Sequence, residues 1–198
     1  MTRDWAVGQR RDIPPSPARE EARLVASVAD GDLRAFEELY RLYHRRLTRF
    51  VINMIHRPHL AEEVLNDTML VVWRRADAYD GVTKVSTWIF AIAYRRALSA
   101  MRGLREPIED KDAETRESLE EGPEQQLGRL QVHNLLVDAM GELSADHRAV
   151  VDLTYFHEMD YREIAEIMSC PVDTVKTRMY HARRHLKRVL AGQLADWL

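Results

Sequence analysis

Phe36, Leu39, Tyr40, Tyr43, Leu47, Phe50, Val51 and Met54 recur at steps of three and four residues. That period is helical. It predicts an amphipathic helix of about six turns, starting near Asp32 and ending before Pro58. A shorter helix over 21–29 precedes it and stops at Gly31. A third, over 60–78, carries Val64, Leu65, Met69, Leu70, Val71, Val72 and Trp73, so it is apolar around much of its circumference. Such a helix either lies centrally in a bundle or is covered by a partner. "YDG" at 79–81 signals a turn. Ser86 can then N-cap a fourth helix, "TWIFAIAYRRALSAMR", that runs to about Arg102. No stretch alternates strongly enough for a sheet, so the expected fold class is all-α.

The C-terminal part repeats the period. A helix over 124–141 is followed by "LSADHRAVVDLTYFHEMD", with Ser144 as a fair N-cap. Asp160 and Glu163 have capping-box spacing, so a helix opens at Tyr161 with Ile164, Ala165 and Met168 on its inner stripe. "SCPV" interrupts it, since Pro171 forbids a continuous helix. A second helix begins around Asp173, and Val175, Met179, Ala182 and Leu186 form its buried seam. Helix, tight turn and basic second helix is the helix-turn-helix pattern.

Between the two periodic stretches the pattern fades. "GLREPIEDKDAETRESLEEGPE", 103–124, holds 3 bases against 9 acids and few apolar residues. Such a composition does not bury enough surface to offset ordering entropy. It reads as a flexible acidic linker between two small helical domains, 21–102 and 125–198. Residues 1–20, polar and broken by Pro14, Pro15 and Pro17, read as a disordered arm without a signal segment. No apolar run reaches the roughly 18 residues a membrane span needs, so no membrane insertion is expected. The lone Cys170 excludes an internal disulfide and suits a reducing cytoplasm.

The charge pattern singles out the last helix. The chain has a net charge of -3, yet Lys176 to Arg188 holds six bases and no acid. With the apolar seam inward, Lys176, Thr177, Tyr180, His181 and Arg184 turn outward. A helix about 10–12 Å across fits a major groove about 12 Å wide. Lys176, Thr177, Tyr180 and His181 are candidates for base edges. Arg178, Arg183, Lys187 and Arg188, pointing more sideways, suit phosphates. A merely solvated basic helix is the plainer alternative. In the first half, Tyr79, Lys84, Trp88, Tyr94, Arg95, Arg96 and Arg102 mix aromatic rings with cations, a combination that stacks unpaired bases. Core packing for Trp88 and a solvated arginine face explain the same residues. His181 and His185 lie one turn apart without a third ligand, so no metal site is read. No nucleophile triad, phosphate-cradling glycine loop or catalytic carboxylate pair emerges. No cofactor and no catalysis by the chain itself are expected.

"AEEVLNDTMLVVWRRADAYDG", "VSTWIFAIAYRRALSAMR", the acidic linker and "LSADHRAVVDLTYFHEMDYREIAEIMSCPVDTVKTRMYHARRHLKRVL" together resemble an extracytoplasmic-function sigma factor of bacterial RNA polymerase. The resemblance covers about residues 22–190. It implies a sigma-2-type helical bundle and a sigma-4-type helix-turn-helix domain. It implies core RNA polymerase as partner, through the clamp helices of the largest subunit and the flap, together with promoter DNA and an anti-sigma factor. Glu63, Asp67 and Trp73 would dock on the clamp. The loop from Tyr79 to Ser86, with Asp80, Gly81 and Lys84, would capture a flipped base of the minus-ten element, with Trp88 as support and Arg95 and Arg96 beside it. The final helix would read the minus-thirty-five element through Lys176, Thr177, Arg178, Tyr180, His181, Arg183 and Arg184. Arg95 stands where many such proteins carry Asn, which points it toward phosphate. A free-standing helix-turn-helix regulator would instead bind an operator without polymerase. A protein-binding helical adaptor would show no salt-dependent affinity for DNA.

Overall fold

The computed structural model describes residues 17–103 and 135–195, with no strand among them. The expected linker and most of the expected N-terminal arm lie outside the described residues. Four helices build the first half: α1 (Pro17–Ala29), α2 (Leu33–Ile55), α3 (Pro58–Arg74) and α4 (Val85–Gly103), with one 3-10 turn at Ala76–Ala78. The second half contains a helical segment over 135–141, α5, then α6 (Ala145–Tyr155), α7 (Tyr161–Met168) and α8 (Val172–Ala195).

Local chemistry sets these boundaries. Asp32 caps α2 by accepting from the Arg34 and Ala35 amides, and Gly31 makes the preceding turn at a positive φ of 86°. The α2 stripe is fully inside: Leu39, Tyr43, Leu47, Phe50, Val51 and Met54 are all buried. His56 ends the helix in the left-handed region and Pro58 opens α3 at a position where its missing N–H costs nothing. The fourth helix starts at Val85, one residue before the expected cap. The Lys84 carbonyl accepts the Trp88 amide, which places Ser86 inside the first turn. Buried Val85 anchors that start.

The central helix of the bundle is α4, not α3. Its buried residues run from Val85 through Tyr94 to Ala97, because α2 and α3 pack on one side and α7 on the other. α3 buries Val64, Leu65, Met69 and Val72 but leaves Glu62, Glu63, Asn66, Asp67 and Leu70 in solvent.

In the second half, Ser144 caps α6, and Asp160 with Glu163 forms the full capping box of α7. Hydrogen bonds from two amides favour the Asp160 carboxylate and hold its pKa below the usual aspartate value. Ile164, Ile167 and Met168 bury against Val175, Met179 and Ala182, so α7 and α8 close on the expected seam.

The two halves meet in one continuous core. α6 packs on α2 and α7 on α4. Arg148 pins this junction. It is buried, and its guanidinium donates to the carbonyls of Asn53 and Met54 at the end of α2 and to those of Met140, Gly141 and Leu143 around the end of α5. One cation thereby satisfies the orphan carbonyls of two helix ends, where the helix dipoles favour positive charge.

Candidate nucleic-acid interface

Because Val175, Met179 and Ala182 face inward, α8 presents Lys176, Thr177, Tyr180, His181, Arg183 and Arg184 to solvent. Tyr180 projects furthest, at 61% exposure, with its ring edge-on to His181. Lys176, Arg183, Arg184 and Lys187 rim a groove of about 500 Å³ floored by Met179, Tyr180 and Tyr161. Lys176 meets Asp173 at 2.9 Å, an exposed pair that gives way readily to a phosphate or a base. The Thr177 hydroxyl donates back to the Asp173 carbonyl, and Arg183 Nε donates to the Tyr155 hydroxyl. Arg178 is placed differently from its neighbours. Its guanidinium turns toward the first half, where it pairs with Asp146 and touches the Cys170 sulfur. The same Asp146 accepts the Tyr94 hydroxyl of α4 at 2.7 Å. Burial, and then the bond to Asp146, push the Tyr94 phenol far above its ordinary pKa.

The loop between α3 and α4 is built to project its tip. The Tyr79 ring tilts against Trp88 at 5.4 Å, and its hydroxyl donates to the Thr83 carbonyl. Asp80 accepts the Val82 amide, and Gly81 takes a positive φ of 71°. Tyr79 and Trp88, both half-buried, therefore form a strut. Asp80, Gly81 and Val82 stand free on it, Val82 at 84% exposure. Val82 was not marked by the sequence pattern, since an apolar loop residue has no periodicity to betray it. Lys84 closes the loop with an ion pair to Glu163 at 2.6 Å, and that bond holds its ammonium pKa above the ordinary value.

Behind the loop, α3 and α4 frame a hollow of about 300 Å³. Val71, Trp88 and Ile92 line it, and Arg75, Arg95 and Arg96 surround it. All three arginines are exposed and, among the described residues, make no ion pair or hydrogen bond. Arg75 was missed by the sequence reading, because only the end of α3 shows which way it points.

On the open face of α3, Glu63, Asp67 and Leu70 follow at helical spacing and are all exposed. Trp73 is partly buried, edge-on to Phe36 at 5.2 Å. Leu70 is 43% exposed and completes a mixed acidic and apolar strip that sequence alone did not separate from the core. No group of three His, Cys, Asp or Glu side chains suited to a metal occurs among the described residues.

These features define a helical protein with a groove-sized cationic helix at one end and an arginine-rimmed, aromatic-strutted loop at the other. The Sigma-70 region 2 family matches residues 39–106 and the Sigma-70 region 4 family matches residues 133–186. RNA polymerase sigma-H factor of Pseudomonas aeruginosa is 28% identical, over 89% of this chain and 97% of that protein. The extracytoplasmic-function sigma-E factor of Haemophilus influenzae is 27% identical, over 83% and 92%. Among solved structures, RpoE of Bartonella quintana, crystallised with the anti-sigma factor NepR, is 27% identical with a TM-score of 0.64, over 80% of this chain and 98% of that one. The chain belongs to the sigma-70 family, in its extracytoplasmic-function class, and is an RNA polymerase sigma factor. It is thus a transcription initiation factor that directs core polymerase to promoters, which disfavours the free-standing regulator. No helix among the described residues is long and apolar enough to cross a membrane.

Proposed function

We propose a division of labour between the halves. Residues 21–102 grip core polymerase and open the duplex, 103–124 link, and 125–198 read intact duplex; the chain catalyses nothing and works in the cytoplasm. Glu63, Asp67, Leu70 and Trp73 form the polymerase-docking strip, which fits the clamp of the largest subunit. The tip at Asp80 to Val82 receives an unstacked base of the minus-ten element. Lys84, Arg95 and Arg96 hold the backbone around it, and Tyr79 and Trp88 brace the loop. α8 enters the major groove of the minus-thirty-five element with Lys176, Thr177, Tyr180 and His181 toward base edges. Arg183 and Arg184 lie toward phosphates. An anti-sigma factor covers these surfaces when the protein is inactive, as the complexes of similar sigma factors suggest.

The observation that carries this reading is the outward face of α8. It gathers cations and hydrogen-bonding side chains on a helix held rigidly by α7. Sequence reading by base contacts needs such rigidity. Opening follows from differential binding, since a site that accepts only an unstacked base favours the melted state by what it gains there. Lys176→Ala is expected to weaken binding of minus-thirty-five duplex by about tenfold, the scale of one base-edge contact. Asp80→Ala with Val82→Ala is expected to leave polymerase binding intact and to reduce permanganate reactivity of minus-ten thymines. Unchanged strand opening in that double variant overturns the assignment of the loop.

A further inference from the structure

The junction between the halves engages two side chains that the proposed function needs on DNA. Lys84, beside the projecting loop, is paired with Glu163 in the first turn of α7. Arg178, on the recognition helix, is paired with Asp146, which also accepts the Tyr94 hydroxyl of α4. Other contacts reinforce the closure. Asn53 of α2 donates to buried Asp152 of α6 at 2.6 Å. His157 lies between the rings of Phe50 and Phe90, and Arg49 stacks on Phe156 at 4.0 Å.

This arrangement fixes how far apart the two reading surfaces can be. α7 has 8 residues and α8 has 24. At 1.5 Å per residue they span about 12 and 36 Å, so every part of the two-helix motif lies within about 50 Å of Lys84. Elements named for positions ten and thirty-five are about 25 base pairs apart, roughly 85 Å along the duplex at 3.4 Å per step. The closed chain cannot lay α8 on one element and the loop on the other. Linked binding is lost when geometry forbids simultaneous engagement.

We propose that the described conformation is an autoinhibited state of the free protein. The contacts of α2 and α4 with α6 and α7 are its latch, and core polymerase opens it. The proposal rests on the reading of α8 and the loop as promoter-contacting surfaces. The latch is cohesive because Arg148, Asn53 and the Phe50–Phe90–His157 cluster bury polar and apolar groups together. It is reversible because its flanking ion pairs, Lys84–Glu163 and Arg178–Asp146, both involve partly exposed side chains. A competent state populated only in part lowers apparent affinity by that fraction. Weakening the latch therefore tightens binding to polymerase without touching the docking strip.

The test uses the full chain with Cys170→Ser and spin labels at Glu38→Cys and Glu166→Cys, two exposed positions on opposite halves. Electron–electron resonance on the free protein is expected to give one narrow distance, and core polymerase is expected to lengthen it. In the unlabelled protein, Asn53→Ala combined with Phe156→Ala is expected to raise apparent affinity for core polymerase by about tenfold, the worth of one buried charged hydrogen bond. A broad distance in the free chain overturns the latch, as does a short distance that persists on bound polymerase, and the latter leaves the promoter role intact. Absence of polymerase binding in the double variant and the parent alike overturns the reading beneath the proposal as well.

Discussion

Arg148 concentrates the risk of this fold in one side chain. It is 8% exposed, has no carboxylate partner, and spends its donors on five carbonyls from two halves of the chain. Burial lowers its pKa, yet a guanidinium starts so high that it stays charged across the accessible range. Arg148→Met removes every donor at once. Its expected cost is about 3 kcal/mol, read as a lower urea midpoint with an unchanged slope, because buried carbonyls left without donors lose their full solvation. A loss below about 1 kcal/mol contradicts the role given to Arg148. Asp160 offers a pH test. Its folded pKa is depressed, so its contribution is complete above the unfolded value near 4 and fades as pH falls through the lower folded value. Asp160→Asn is expected to flatten the loss of thermal stability below pH 4. The Asp160 capping box was legible in sequence because its partners lie two and three residues away. Arg148 was illegible because its acceptor at Met54 is 94 positions distant.

At the scale of elements, the periodicity located α2, α7 and α8 closely, and for a physical reason. Each has one buried stripe and one wet face, so the stripe can be counted. α3 and α4 were harder. Both are strongly apolar, and periodicity does not say which is covered on every side. α4 takes the centre because α7 packs on its outer face, a contact between distant parts of the chain. α3 is left with Leu70 beside Glu63 and Asp67 in solvent. The seam of α8 is the element's chief dependence. Met179 is 2% exposed between α7 and α8. Met179→Ala is expected to destabilise the protein by about 3 kcal/mol, measured by calorimetry, through lost burial and the cavity left behind. Surface changes such as Arg184→Ala are expected to leave the melting temperature within a degree or two and to weaken DNA binding instead.

At the scale of the whole molecule, sequence separated two helical halves and assigned each a kind of surface. It did not show that α6 and α7 dock on α2 and α4, because apolar residues at a junction carry the same signature as core residues. The unlike ends explain how an acidic chain binds nucleic acid. A local cationic face sets affinity, and net charge does not. The minus-thirty-five duplex is therefore expected to bind less tightly as salt rises. The slope should fall by about one when Arg184 is replaced by Ala. The most direct measurement of the central claim is transcription reconstituted from purified core polymerase and a promoter library, with start sites mapped. Added to core enzyme, this chain is expected to produce starts at a distinct set of promoters sharing two spaced elements, none of them used by either component alone. A start-site map identical to that of core enzyme, with no complex between the two, contradicts the account.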